Sequence, residues 1–261
     1  MPRRTTRKAP PDQAHGLRQR FGAAAAQVIA VVNNPFVAFA GVALERLATA
    51  LGGRGLHTLV VDAADTASPP YELAGVDLAA CIEPLSAQVS FLAARGLPSR
   101  WIDSVGSTAG FLDALRQAAP SAGAVLLHSG AGDLRRMFAG RPFCPLVIAG
   151  THPESVTHAY AAVKLLAQRA GLVAFDLIIV AGNARASSRS SGPARIAQHL
   201  GGCTEHFLGV AMRTFAVVDP MADVADPVAP DLDAVLALQC RGAERSPAET
   251  AARAACADTA F

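Results

Sequence analysis

Residues 28–62 read VIAVVNNPFVAFAGVALERLATALGGRGLHTLVVD, and this stretch decides the fold. Val28–Val32 and Thr58–Val61 are short, unalternated runs of apolar and β-branched residues, the pattern of strands buried on both faces. Between them, Val42–Gly52 places Leu44, Leu47, Ala48 and Leu51 at helical spacing and ends at Gly52-Gly53. The unit is therefore strand, loop, amphipathic helix, turn, strand. In such units the first loop commonly holds a phosphate, through close backbone N–H groups and the helix N-terminus. Here that loop is Asn33-Asn34-Pro35-Phe36-Val37-Ala38-Phe39-Ala40-Gly41, with no lysine, no Ser or Thr, and one glycine at its far end. The scaffold is present and the gripping groups are missing.

The same apolar signature recurs at Ala124–Leu127, Leu146–Ala149, Leu177–Val180 and Phe215–Val218. Helical patterns separate several of these runs. Glu154–Ala170 carries Val156, Ala159, Tyr160, Val163, Leu166 and Ala167 on one side, with Gly171 as its stop. Alternation of buried strands with helices predicts an α/β fold: three layers, with a mostly parallel, doubly wound sheet flanked by helices. Residues 187–193 read as a loop, 221–230 as a linker, and Asp231–Gln239 as one more helix. The expected division is a basic N-terminal segment (1–22), one α/β domain (23–220), and a linker with a weakly ordered helical tail (221–261).

Composition narrows the function classes. Of 261 residues, 51% are hydrophobic and 17% charged, below the roughly 25% charged of an average globular domain, so a large core is expected. A net charge of +2 implies no general attraction to nucleic acid. The cysteines (Cys81, Cys144, Cys203, Cys240 and Cys256) have no C-x-x-C spacing, so no zinc or dithiol site is expected. Arg3, Arg4, Arg7 and Lys8 precede the uncharged stretch Phe21–Leu44, which imitates a signal anchor. Asn33-Asn34-Pro35 splits that stretch, and each half is shorter than the roughly 20 residues a bilayer requires. A cytoplasmic chain is the expectation.

The order of these elements resembles the MinD/ParA family of P-loop ATPases. Its deviant Walker A loop has the form K-G-G-x-G-K-[ST]. An ungapped match anchored on Val28–Val32 and Leu47–Leu51 puts Pro35 at the first lysine, and Phe36, Val37 and Phe39 at glycines. Ala40 falls at the second lysine and Gly41 at the magnesium-binding Ser/Thr. Phe and Val side chains occupy space that glycines leave for phosphate. Pro35 lacks an N–H. Without an ammonium at Ala40, a charge-assisted bond of roughly 1.5–3 kcal/mol is lost. In the family the second strand ends in D-x-D; here Asp62 is followed by Ala64, with Asp65 one residue late. A later strand there ends in a magnesium-holding aspartate; here His128 stands at that place, before Ser129-Gly130-Ala131-Gly132. His128 and Ser129 are neighbours on a strand and point to opposite faces, and no G-x-S-x-G elbow is present, so no hydrolase dyad is expected.

Two further segments resemble one branch, the flagellar-number regulators FlhG/FleN. Asp12-Gln13-Ala14-His15-Gly16-Leu17-Arg18 matches that branch's D-Q-A-x-x-L-R motif ahead of the first strand. The resemblance implies that Asp12, Gln13, Leu17 and Arg18 bind a flagellar SRP-like GTPase, with the glutamine stimulating GTP hydrolysis. The branch's P-E-P-like turn and T-x-A-Y-x-x-x-K helix are matched at Pro153, Glu154, Thr157, Ala159, Tyr160 and Lys164. His206–Gly209 and Val217–Pro220 resemble its F-L-G and I-P-x-D segments, while Asn183 is offset from the base-binding asparagine. Asp231–Arg241 has few basic residues, so the membrane-binding helix of relatives is not expected here.

The resemblance implies a non-catalytic regulator of flagellar number and biosynthesis, a pseudo-ATPase working by protein contact. Its partners would be the GTPase and a flagellar transcription activator, with a homodimer open. No catalytic residue, metal or cofactor is expected, and ATP with magnesium would bind only weakly. The alternatives are an ATPase with an unconventional site built on Asp62, Asp65 or His128, or a MinD-like positioning protein for septum placement or polysaccharide secretion. An α/β fold of other ancestry is the plain alternative.

Overall fold

Strands form where the apolar runs lie. A computed structural model describes residues 26–182, 192–223 and 229–243. Its strands are β1 (Gln27–Val32), β2 (Thr58–Asp62), β3 (Glu83–Pro84), β4 (Val89–Ala93), β5 (Ala124–Ser129), β6 (Leu146–Gly150), β7 (Ala174–Val180) and β8 (Ala211–Val218). They make one eight-stranded sheet in the order β3-β4-β2-β5-β1-β6-β7-β8. Every neighbouring pair is parallel except β3 with β4. The helices are α1 (Ala40–Gly53), α2 (Gly110–Ala118), α3 (Ala131–Met137), α4 (Pro153–Ala170), α5 (Gly192–Leu208) and α6 (Pro230–Ala243).

Strand alternation divides the core between the two faces of the sheet. Ile29, Val31, Leu126, Ile148 and Ile178 meet α1 and α6 on one face. Ala30, Val32, Leu127, Val147 and Leu177 meet α2, α3, α4 and α5 on the other. These inner strands are buried nearly end to end, which explains their continuous apolar reading. The doubly wound, three-layer architecture expected from the sequence is the one observed.

The differences have local causes. β4 alternates half-buried and buried residues, because it lies beside the small edge strand β3. Gly201-Gly202 lies inside α5, where each glycine costs about 1 kcal/mol against alanine, and burial of Ala197, Leu200 and Thr204 outweighs it. The expected loop over 187–193 is corrected at its end: Gly192 and Pro193 open α5, where proline's missing N–H is harmless. Beyond Pro220, α6 buries Leu232, Val235 and Leu236 against the α1 face. The D-Q-A-x-x-L-R segment, Asn183 and the tail from Pro247 lie outside the described residues.

Candidate functional site

The C-terminal ends of β1, β2, β5 and β6 share one edge of the sheet, and the loop from β1 to α1 crosses it. Pro35 occupies the second position of a turn closed by the Val37 N–H donating to the Asn34 carbonyl at 3.1 Å. Asn34 organises that turn from below. Its Nδ2 donates to the Ile148 carbonyl (2.9 Å), the Ser155 carbonyl (2.9 Å) and Ser155 Oγ (3.1 Å), while its Oδ1 accepts from the Phe36 N–H (3.2 Å). Ser155 Oγ also accepts from the Gly150 N–H at 2.7 Å. Asn34 and Ser155 are both buried. The amides of Phe36 and Val37 thus already have acceptors within the loop.

Side chains fill the remaining space. Val37 is buried, and a Cβ added at Gly150 would stand 3.6 Å from Val37 Cγ2. Phe36 leans on His158 of α4, with ring centroids 5.7 Å apart, yet stays 47% exposed. Burial holds the His158 imidazole below its usual pKa, and its Nδ1 has no hydrogen-bond partner among the described residues. Phe39 precedes α1 with φ at 63° and is 60% exposed. Glycine takes that left-handed conformation without strain, whereas a Cβ makes it cost about 1–2 kcal/mol. Ala40 and Gly41 form the start of α1 without a side-chain cap.

Asp62 closes β2, and in the sheet it lies directly across from His128 of β5. His128 Nδ1 pairs with Asp62 Oδ1 at 2.9 Å, and the Ala64 N–H donates to the same oxygen at 3.3 Å. With Nδ1 turned to the carboxylate, the other ring nitrogen of His128 is Nε2. That nitrogen is buried and without a partner among the described residues. Ser129 Oγ instead donates to the Ala63 carbonyl at 3.5 Å, so no Ser–His pair forms. Ala64 is buried and carries no ligand atom. Among the described residues no group of three or more His, Cys, Asp or Glu is placed to hold a metal.

The structure therefore joins two of the candidate positions, Asp62 and His128, in one hydrogen-bonded contact. Pro35, Ala40 and Gly41 stay on the neighbouring loop, and Asp12, Gln13, Leu17 and Arg18 lie outside the described residues. Asn34 and Ser155 are the residues that sequence reasoning missed. The signal for the first was available, since Asn before Pro favours a side-chain-closed turn.

The MinD cell division protein of Aquifex aeolicus superposes on 85% of this chain and 99% of its own length, with a TM-score of 0.55 and 12% identity. This chain has the MinD/ParA-type fold. A putative plasmid partition protein from Borrelia burgdorferi bound to AMPPNP matches it with a TM-score of 0.56 and 11% identity, over 83% of this chain and 99% of that one. The MinC:MinD cell division complex of Aquifex aeolicus does so at 0.51 and 11%, over 83% and 86%. No protein-family model matches the sequence, and no curated protein matches it. In the MinD/ParA-type fold of this chain, the β1–α1 loop is a self-satisfied turn packed by Val37. No helix among the described residues is long and apolar enough to cross a membrane.

Proposed function

We propose that this chain is a positioning-type regulator that acts by protein contact and does not turn over nucleotide. The observation that carries the reading is the β1–α1 loop: Asn34 takes up its amide and Val37 its volume. Pro35, Ala40 and Gly41 offer no ammonium or hydroxyl there, and Ala64 and His128 stand where the family resemblance expects aspartates. The D-Q-A-x-x-L-R match directs the proposal to flagellar number and biosynthesis. Asp12, Gln13, Leu17 and Arg18 would engage a flagellar SRP-like GTPase in the cytoplasm, and another surface a transcription activator. Without a nucleotide switch, the protein would hold one state and be regulated by its abundance.

Two measurements test this. Titration of the purified chain with a fluorescent ATP analogue and magnesium should show no saturable binding below about 1 mM. GTP hydrolysis by the flagellar GTPase should rise on adding the full chain, and Gln13→Ala should abolish the rise. Micromolar analogue binding would overturn the nucleotide-free reading, and a GTPase indifferent to the chain would remove the flagellar one.

The Asp62–His128 pair favours a second reading, an ATPase with an unconventional site. It orients an imidazole whose buried Nε2 has no partner among the described residues. Magnesium-dependent ATP turnover that Asp62→Ala eliminates would select it.

A further inference from the structure

A cavity of about 370 Å³ opens at the opposite edge of the sheet, beneath the N-terminal ends of the strands. Gln27 and Val28 of β1, Cys144 ahead of β6, Arg213 of β8 and Gln239 of α6 line it, together with Arg116 of α2 and Arg141. Its size falls within the roughly 300–1,000 Å³ of pockets that hold small molecules.

Each arginine is held in place by an acid. The β7–β8 register steps from Phe175↔Met212 to Asp176↔Thr214, so Arg213 is the extra residue of a bulge. Bulges re-aim side chains. Arg213 Nε donates to Asp176 Oδ1 at 3.0 Å and its Nη2 to Oδ2, while Gln239 Nε2 donates to Oδ2 at 2.7 Å. Asp176 is completely buried by this enclosure. Across the cavity, Asp113 accepts from Arg141 Nη1 (3.1 Å) and Nη2 (2.6 Å), and from Arg116 Nη1 (3.1 Å). Three guanidinium groups therefore face two carboxylates, leaving one positive charge in excess. Donors remain as well. Arg213 has a second Nη beyond the nitrogens bonded to Asp176, and Arg116 has a second Nη beyond the one bonded to Asp113. Burial and the Asp176 charge push the Cys144 thiol up to about 12, so it adds no charge. The rest of the lining is apolar: Leu112, Phe138, Pro142, Phe143 and Leu238, with the two phenyl rings stacked at 4.2 Å.

We propose that this cavity binds a small organic anion with one carboxylate or phosphate group and an apolar body. The preset guanidinium groups meet the anionic head through their remaining Nη donors, and the Phe138–Phe143 wall covers the body. The site stands apart from the β1–α1 loop and does not rest on the function proposed above.

The test uses full-length protein and the probe anilinonaphthalene sulfonate, an aromatic anion that fluoresces when bound. Phenyl phosphate or benzoate should displace it at submillimolar concentration. Which of the two binds tighter tells a phosphate from a carboxylate ligand. Benzyl alcohol and inorganic phosphate should displace it at least tenfold less well. Arg116→Gln should weaken phenyl phosphate at least tenfold, since Arg141 still neutralises Asp113 in that variant. If the variant does not fold, the Arg116 Nε–Hε resonance of the wild-type protein should shift on phenyl phosphate addition. No displacement, equal displacement by benzyl alcohol or by bare phosphate, an unchanged Arg116→Gln, or an unmoved Nε–Hε resonance would each overturn the proposal.

Discussion

Asn34→Ala removes the side chain on which the β1–α1 turn is built. Asn34 is 2% exposed, and its two Nδ2 hydrogens serve three oxygens on β6 and α4. Each hydrogen bond lost within the protein contributes about 0.5–1.5 kcal/mol, and a buried group left unsatisfied adds about 1–3 kcal/mol. Ser155 lies inside α4, so its carbonyl keeps its place in the helical ladder and the penalty there stays at the low end. The Phe36 N–H, half-exposed, can recover water. The sum is roughly 3 kcal/mol, or about 6–12 °C in Tm for a chain of this size. Asn34→Asp should cost more, about 4 kcal/mol, because a carboxylate would face carbonyl oxygens. Urea unfolding followed by circular dichroism measures both, and the m-value should not change. A loss under about 1 kcal/mol for Asn34→Ala, or an Asp variant as stable as the wild type, would refute the idea that this side chain holds the loop. The nucleotide titration on Asn34→Ala should remain flat, because the missing ammonium and hydroxyl are not restored.

Three other outcomes follow from the buried polar groups. Asp176→Ala should destabilise the protein by about 3 kcal/mol, since it strands the Arg213 guanidinium. Asp176→Ala combined with Arg213→Met should recover most of that in urea melts. His158 has its pKa lowered by burial, so the unfolded chain takes up its proton first. Stability from this group is present above the unfolded value of about 6.5 and is lost as pH falls through the lower folded value; His158→Leu should flatten that part of the pH–stability curve. Cys144, with a thiol raised to about 12, should alkylate with iodoacetamide at pH 8 on the order of 100-fold more slowly in native protein than in urea, as read by mass spectrometry.

Much of the fold was legible in the chain. Burial on both faces leaves a sequence trace, so the runs at Val28–Val32, Thr58–Val61, Ala124–Leu127, Leu146–Ala149 and Leu177–Val180 announce themselves. The α1 and α4 stripes do so too. Elements sustained by a neighbour leave less trace. β4 needs β2 and β3 beside it, and α5 carries a Gly-Gly pair that only packing sustains. The candidate site divides in the same way. The lack of lysine, serine and threonine in the loop can be read directly from residues 33–41.

Sequence by itself determined the layered α/β architecture and the absence of lysine, serine and threonine from the β1–α1 loop, because both depend on residue type and local period. Only the tertiary structure decided how that loop is closed and filled. Asn34 finds Ser155 across 121 positions of chain, Asp62 meets His128 across 66, and a bulge turns Arg213 onto Asp176. These pairings join residues far apart in sequence. They depend on strand order and register, which no local pattern encodes.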